Sequence, residues 1–254
     1  MPFTISHAAA VLPLRKLQLP LAAMMIGSMA PDFPYFLPGD LSRTNTHDLE
    51  GVFLACWPMG LAVWLLFVHL LERPSIELLP EPWRLRIPHS DSSFTFRSLA
   101  LASLGVIVGA LTHVAWDAFT HGGTPMTRIF PLLSEDAFSV RGRSVPVYFV
   151  LQVLSSLLGL IALAWWALRL RHDKPKTRAV HLSRIPLSDR ARIGILLVMI
   201  VISVAASLAT YAAIAHAPFE RRVFHALITG MTAGLLAWCV AAAAFARLSR
   251  QKEG

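Results

Sequence analysis

The chain has 254 residues, 55% of them hydrophobic and only 15% charged, with a mean hydropathy of +0.57. That balance excludes an ordinary water-soluble domain and predicts an all-α, polytopic helical membrane protein. The formal net charge of +8 does not imply nucleic acid. The basic residues gather in loops beside apolar runs, where they orient spans and meet anionic headgroups, so membrane lipids are the expected partner and nucleic acid is not.

In chain order, residues 1–48 predict an N-terminal re-entrant helical hairpin and turn. The opening run is broken by Arg15 and Lys16, unlike a secretory signal. Ser6 is the expected cap of a short helix starting at His7, and Pro20 opens a second one that Pro31 ends. Each is about ten residues long, near 15 Å, too short to cross a bilayer. Folding back near 15–20 returns Asp32 to the level of His7, whereas a single span over 8–30 would separate them. Prolines on either side of Asp32-Phe33 predict extended backbone there.

Five apolar runs of about the length needed to cross a bilayer follow, at roughly 50–72, 97–119, 145–170, 192–215 and 222–246. We read one integral membrane domain, with the site-bearing helices in 50–125, three further spans in 145–247 and a basic tail at 248–254. The loop after the third run carries Arg171, Lys174, Lys176, Arg178, Arg184, Arg190 and Arg192 against Asp173 and Asp189. The positive-inside rule places that loop in the cytoplasm. Counting spans outward brings His47 and Asp48, at the start of the first span, to the same extracytoplasmic face as Asp117 and His121, at the end of the second. Arg221 and Arg222 fall on that outer side, against the trend.

The stretch HVAWDAFTH, His113 to His121, holds the densest chemistry. His113, Asp117 and His121 recur every four residues, so a helix stacks them on one face. Imidazoles flanking a carboxylate suit a divalent metal such as zinc, and ionisable groups inside a span are functional candidates by default. A polar seam between packed helices is the alternative. Gly105 and Gly109 form a small-residue face that lets a neighbour approach His113. Cys56 and Cys239 lie inside spans without metal or redox spacing, so no disulfide framework is expected. Phosphate-binding glycine loops and a serine-hydrolase elbow are absent from the sequence.

The opening MPFTISHAAAVLP with GSMAPDF resembles an uncharacterised family of bacterial membrane proteins. The wider pattern of His7, Asp32, Thr46-His47 and His113 with Asp117 resembles the YdjM-like inner-membrane group, regarded as metal-dependent hydrolases and linked to the zinc-dependent phospholipase C and P1 nuclease superfamily. The resemblance covers about the first 125 residues. It departs at PDFPY, with one acid and no His, and at SRTNTHD, with Ser42 at the first His position and Asp48 after His47. One metal, or two at most, fits these departures.

The resulting candidate set is His7, Asp32, His47, His113 and Asp117 as metal ligands. Asp48 and His121 stand beside them in catalytic or ligand-orienting roles, and Arg43 is the candidate for holding a substrate phosphate. The expected activity is metal-dependent hydrolysis of a phospholipid or other lipid-linked phosphoester at the extracytoplasmic face, with a divalent ion, zinc foremost. The alternative is a non-enzymatic protein using the cluster for metal or proton transport or for helix packing. His216 and His225 are outlying candidates for the same site.

Overall fold

A computed structural model describes residues 3–36, 46–87, 95–140, 142–173 and 187–251. Arg43 and Asn45 lie outside the described residues. The architecture is all-α, with one small two-stranded sheet among the described residues. Among the described residues, five helices are long and apolar enough to cross a membrane. Four labels cover helices of the site-bearing region: α1 (Leu21–Met29), α2 (Leu49–Leu78), α3 (Phe96–Thr120) and α4 (Val147–Leu170). Two more follow, α5 (Asp189–Ala213) and α6 (Phe219–Gln251).

The chain divides into two compact units, one of Met1–Leu65 with Ser93–Ala167, the other of Leu66–Ser92 with Leu168–Gly254. In the first unit, a 3-10 helix (Thr4–Val11) turns through Pro13–Leu17 and Gln18, whose φ of 57° reverses the chain into α1. The reversal brings the ends of this hairpin together, and the Thr4 hydroxyl donates to Asp32 Oδ2 at 2.7 Å. A single span over 8–30 is therefore ruled out.

Three local expectations need correction. The first helix starts at Thr4, not His7, and Ser6 is no cap; its hydroxyl donates to the Phe3 carbonyl. Residues 31–34 are not extended. Beyond Met29 the helix tightens into a 3-10 segment, Ala30–Phe36, whose shorter repeat accommodates Pro34. The first span runs to Leu78 rather than 72. It does so by opening into π-type turns at Val52–Cys56 and Phe67–Leu71, just ahead of Pro58 and Pro74. A wider turn absorbs the missing proline N–H without ending the helix.

The core of this unit forms where the hairpin packs on α3. Val11, Leu19 and Met24 bury themselves against Leu101 and Val108, and Ala30, Val52, Cys56 and Ala110 form an adjoining cluster. Gly27 and Gly109 mark the crossing. A methyl on Gly27 would overlap the Val106 carbonyl, and one on Gly109 the Met24 carbonyl. Only glycine allows the two backbones to lie this close. Between α3 and α4, strands β1 (Asp136–Val140) and β2 (Arg143–Pro146) form an antiparallel hairpin.

In the second unit, α5 and α6 pack antiparallel. Ser203 and Ser207 donate to the carbonyls of Gly230 and Ala226, and Trp238 donates to the Ser75 hydroxyl.

Candidate metal centre

The five donors reach the centre from four segments of the chain. His7 comes from the first 3-10 helix and Asp32 from the 3-10 extension of α1. His47 precedes α2, while His113 and Asp117 sit one turn apart on α3. Their side chains converge in the buried interior of the first unit; His113 is fully buried and Asp32 is 1% exposed.

The separations are specific. His47 Nε2 lies 3.5 Å from Asp32 Oδ1 and 3.6 Å from Asp117 Oδ2. His113 Nε2 lies 3.8 Å from Asp32 Oδ1 and 3.6 Å from Asp117 Oδ2, and His7 Nε2 is 3.6 Å from Asp117 Oδ1. These are too long for N–H···O hydrogen bonds. An ion at the usual 2.0–2.2 Å from tetrahedral N and O ligands imposes edges of roughly 3.3–3.6 Å. Four of the five separations fall at those edges and the fifth, His113 to Asp32, is slightly longer, so these groups are spaced as metal ligands could be. The Nε2 atoms of His7 and His113 are buried without a hydrogen-bond partner, which an ion in the centre would supply.

Two subsets, His7–Asp32–His113 and His47–His113–Asp117, each have ligand atoms within 4.8 Å of one another. His113 belongs to both. An imidazole Nε2 offers one lone pair and serves one ion, so the two subsets cannot each hold an ion through His113. Two carboxylates beside three imidazoles in a buried space make a site whose charge a divalent cation would neutralise.

The remaining ring nitrogens are held by the backbone and hydroxyls. His113 Nδ1 donates to the Ser28 carbonyl at 2.7 Å, leaving Nε2 as the lone-pair atom turned inward. The Thr46 hydroxyl gives its only proton to the Pro31 carbonyl at 2.9 Å, so its oxygen accepts from His47 Nδ1 at 2.9 Å. His47 Nε2 then also turns its lone pair to the carboxylates. Thr4 occupies Asp32 Oδ2, so Oδ1 faces the imidazoles. The rings of His7 and His113 stack at 3.7 Å. Burial, followed by the neighbouring His113, pushes the His7 pKa down to about 3, so its imidazole is neutral and ready to ligate at physiological pH.

His121 does not share the helical stripe. Helix α3 ends at Thr120, and His121 caps it with extended backbone ahead of Gly122 and Gly123. Its Nδ1 still reaches Asp117 Oδ2 at 3.4 Å. Asp48 caps the start of α2, its carboxylate accepting from Gly51 N–H at 2.6 Å. His216 and His225 belong to the second unit, where they line a cavity of about 510 Å³ with Thr210 and Arg221. His69 and His172 also belong to the second unit.

Sequence reasoning missed Thr4, Ser28 and Gln152. Gln152 Nε2 lies 3.0 Å from His121 Nε2 and is buried within a membrane-length helix. A lone amide in an otherwise apolar span was the available signal. Thr4 is an ordinary hydroxyl in sequence, and the role of Ser28 rests on its backbone carbonyl, which no residue type encodes.

A family model described as a domain of unknown function (DUF4184) matches residues 1–244. No curated protein and no solved structure matches the chain.

Proposed function

The chain belongs to the DUF4184 family, a domain of unknown function, and from its buried His/Asp centre we propose that it is a membrane-embedded metal-dependent hydrolase of a phospholipid or other lipid-linked phosphoester. The observation that carries this reading is the set of five His–Asp separations of 3.5–3.8 Å, spaced for an ion and too long for hydrogen bonds. Zinc is the expected ion, since three imidazoles with carboxylates suit it. Such an ion supplies a nucleophile from water near neutral pH and polarises a phosphoryl oxygen.

The protein's own groups would then divide the work. His7, His47, His113, Asp32 and Asp117 hold the ion. Arg43 would clamp a phosphate as a bidentate fork. The resemblance of the first 125 residues to the YdjM-like group, and through it to the zinc-dependent phospholipase C superfamily, supports hydrolysis over transport. Positive charge after the third span favours an extracytoplasmic site in a bacterial inner membrane, level with lipid headgroups.

The test is metal content of the purified, detergent-solubilised protein, wild type beside Asp117→Ala and His47→Ala. About one ion per chain, lost in both folded variants, is expected. It would be followed by assays on phosphoester lipids. No bound metal in wild type after reconstitution with zinc, manganese and iron would overturn the hydrolase reading and leave the cluster as helix packing or proton handling.

A further inference from the structure

Resting on the metal-centre reading, we infer that Gln152 in α4 is a positioning residue that fixes the ring of His121 and, through it, the carboxylate of Asp117. Two geometric facts decide the ring's protonation. His121 Nδ1 faces Asp117 Oδ2 at 3.4 Å and the Asp117 carbonyl at 3.3 Å. A bare Nδ1 lone pair against a carboxylate would repel it, so Nδ1 carries the proton and donates. Nε2 is then the acceptor of the neutral ring, and at 3.0 Å the Gln152 amide N–H is its donor. A buried glutamine whose amide donates fits that single tautomer.

The consequence reaches the ion. Asp117 Oδ2 is also the atom that faces His47 and His113. The electrostatic contact of His121 Nδ1 with Oδ2 at 3.4 Å favours one rotation of that carboxylate and hence one direction of its ligating lone pair. The same helix also holds the segment that leads into His7. The Ser156 hydroxyl accepts from Phe3 N–H at 3.0 Å while donating to the Gln152 carbonyl at 2.8 Å. Gly159 lets the Ser6 backbone approach, one residue before His7. The third span, beyond the part of the chain that carries the sequence resemblance, thus orients two of the five donors.

The test uses cobalt(II) as the probe, with affinity read by chelator competition and geometry by the visible absorption bands of the full-length protein in detergent. Three proteins are compared, wild type, Gln152→Leu and Gln152→Glu, with melting temperature as the fold control. Leucine keeps the volume and removes the donor; cobalt affinity should fall about 10- to 100-fold, with altered bands and a retained melting transition. Glutamate accepts from His121 Nε2, holds the ring as imidazolium and keeps Nδ1–H on Asp117, so it should restore affinity toward the wild-type value. A packing role predicts the reverse order, leucine tolerated and glutamate not. Cobalt bound equally by wild type and Gln152→Leu overturns the positioning role alone. No cobalt on wild type overturns the metal reading and this inference with it.

Discussion

His113 and Ser28 are separated by 85 positions, yet the His113 imidazole donates to the Ser28 carbonyl at 2.7 Å. The contact exists because Gly27 and Gly109, each one residue or one turn away, let α1 and α3 touch backbone to backbone. The crossing that builds the core therefore also aims a metal ligand.

That coupling predicts the effect of Gly109→Ala. The added methyl would overlap the Met24 carbonyl and crowd Ser28 N at 2.6 Å. Overpacking of this kind costs about 1–3 kcal/mol, and displacing α1 should weaken metal binding as well. The control is Gly194→Ala in α5, where nothing lies within 4 Å; it should leave both unchanged or raise the melting temperature, since alanine favours helix by about 1 kcal/mol. Equal melting temperatures for Gly109→Ala and wild type would refute the tight crossing.

Thr46→Val tests the orientation of His47. Valine keeps the shape but removes the acceptor for His47 Nδ1 and the donor to Pro31. Metal affinity should drop about 10- to 100-fold, measured by chelator competition. Thr46→Ser, which keeps the hydroxyl, should bind close to wild type.

Metal removal should loosen the first unit. Ligand bound only by the folded state stabilises it by about 2.7 kcal/mol at a hundredfold excess over Kd. A chelator should therefore lower the melting temperature of wild type and leave Asp117→Ala unaffected. Identical melting curves with and without chelator would count against a bound ion.

Acid should destabilise the metal-free protein through His7. Its folded pKa is depressed from 6.5 to about 3, by burial first and His113 second. The unfolded chain therefore binds the proton first, and stability present above pH 6.5 is lost as pH falls towards 3. The slope in that window approaches about 1.4 kcal/mol per pH unit for this one group. His7→Gln should flatten the curve of melting temperature against pH over the same range; an unchanged slope would contradict the burial argument.

Much of this arrangement was legible in the residues. The runs near 97–119 and 145–170 match α3 and α4 to within a few positions, because twenty apolar residues leave no alternative to a helix in lipid. Arg15, Lys16 and Pro20 pointed to the hairpin, and the Thr4–Asp32 contact decided it against one continuous span. Spacing placed His113 and Asp117 on one face. It failed for His121, because Gly122 and Gly123 end the helix a residue early, and for Asp32, because alternating prolines are as compatible with a 3-10 turn as with extended chain.

The sequence by itself determined the membrane class, the number of spans and which ionisable residues stand inside or beside them, since each follows from local composition and period. Only the tertiary structure decided that His7, Asp32 and His47 share a point with His113 and Asp117, and that Thr46, Ser28 and Gln152 set the rings. Those relations depend on how closely two backbones cross and on carbonyls and hydroxyls far apart in the chain, and local composition and period carry no information about either.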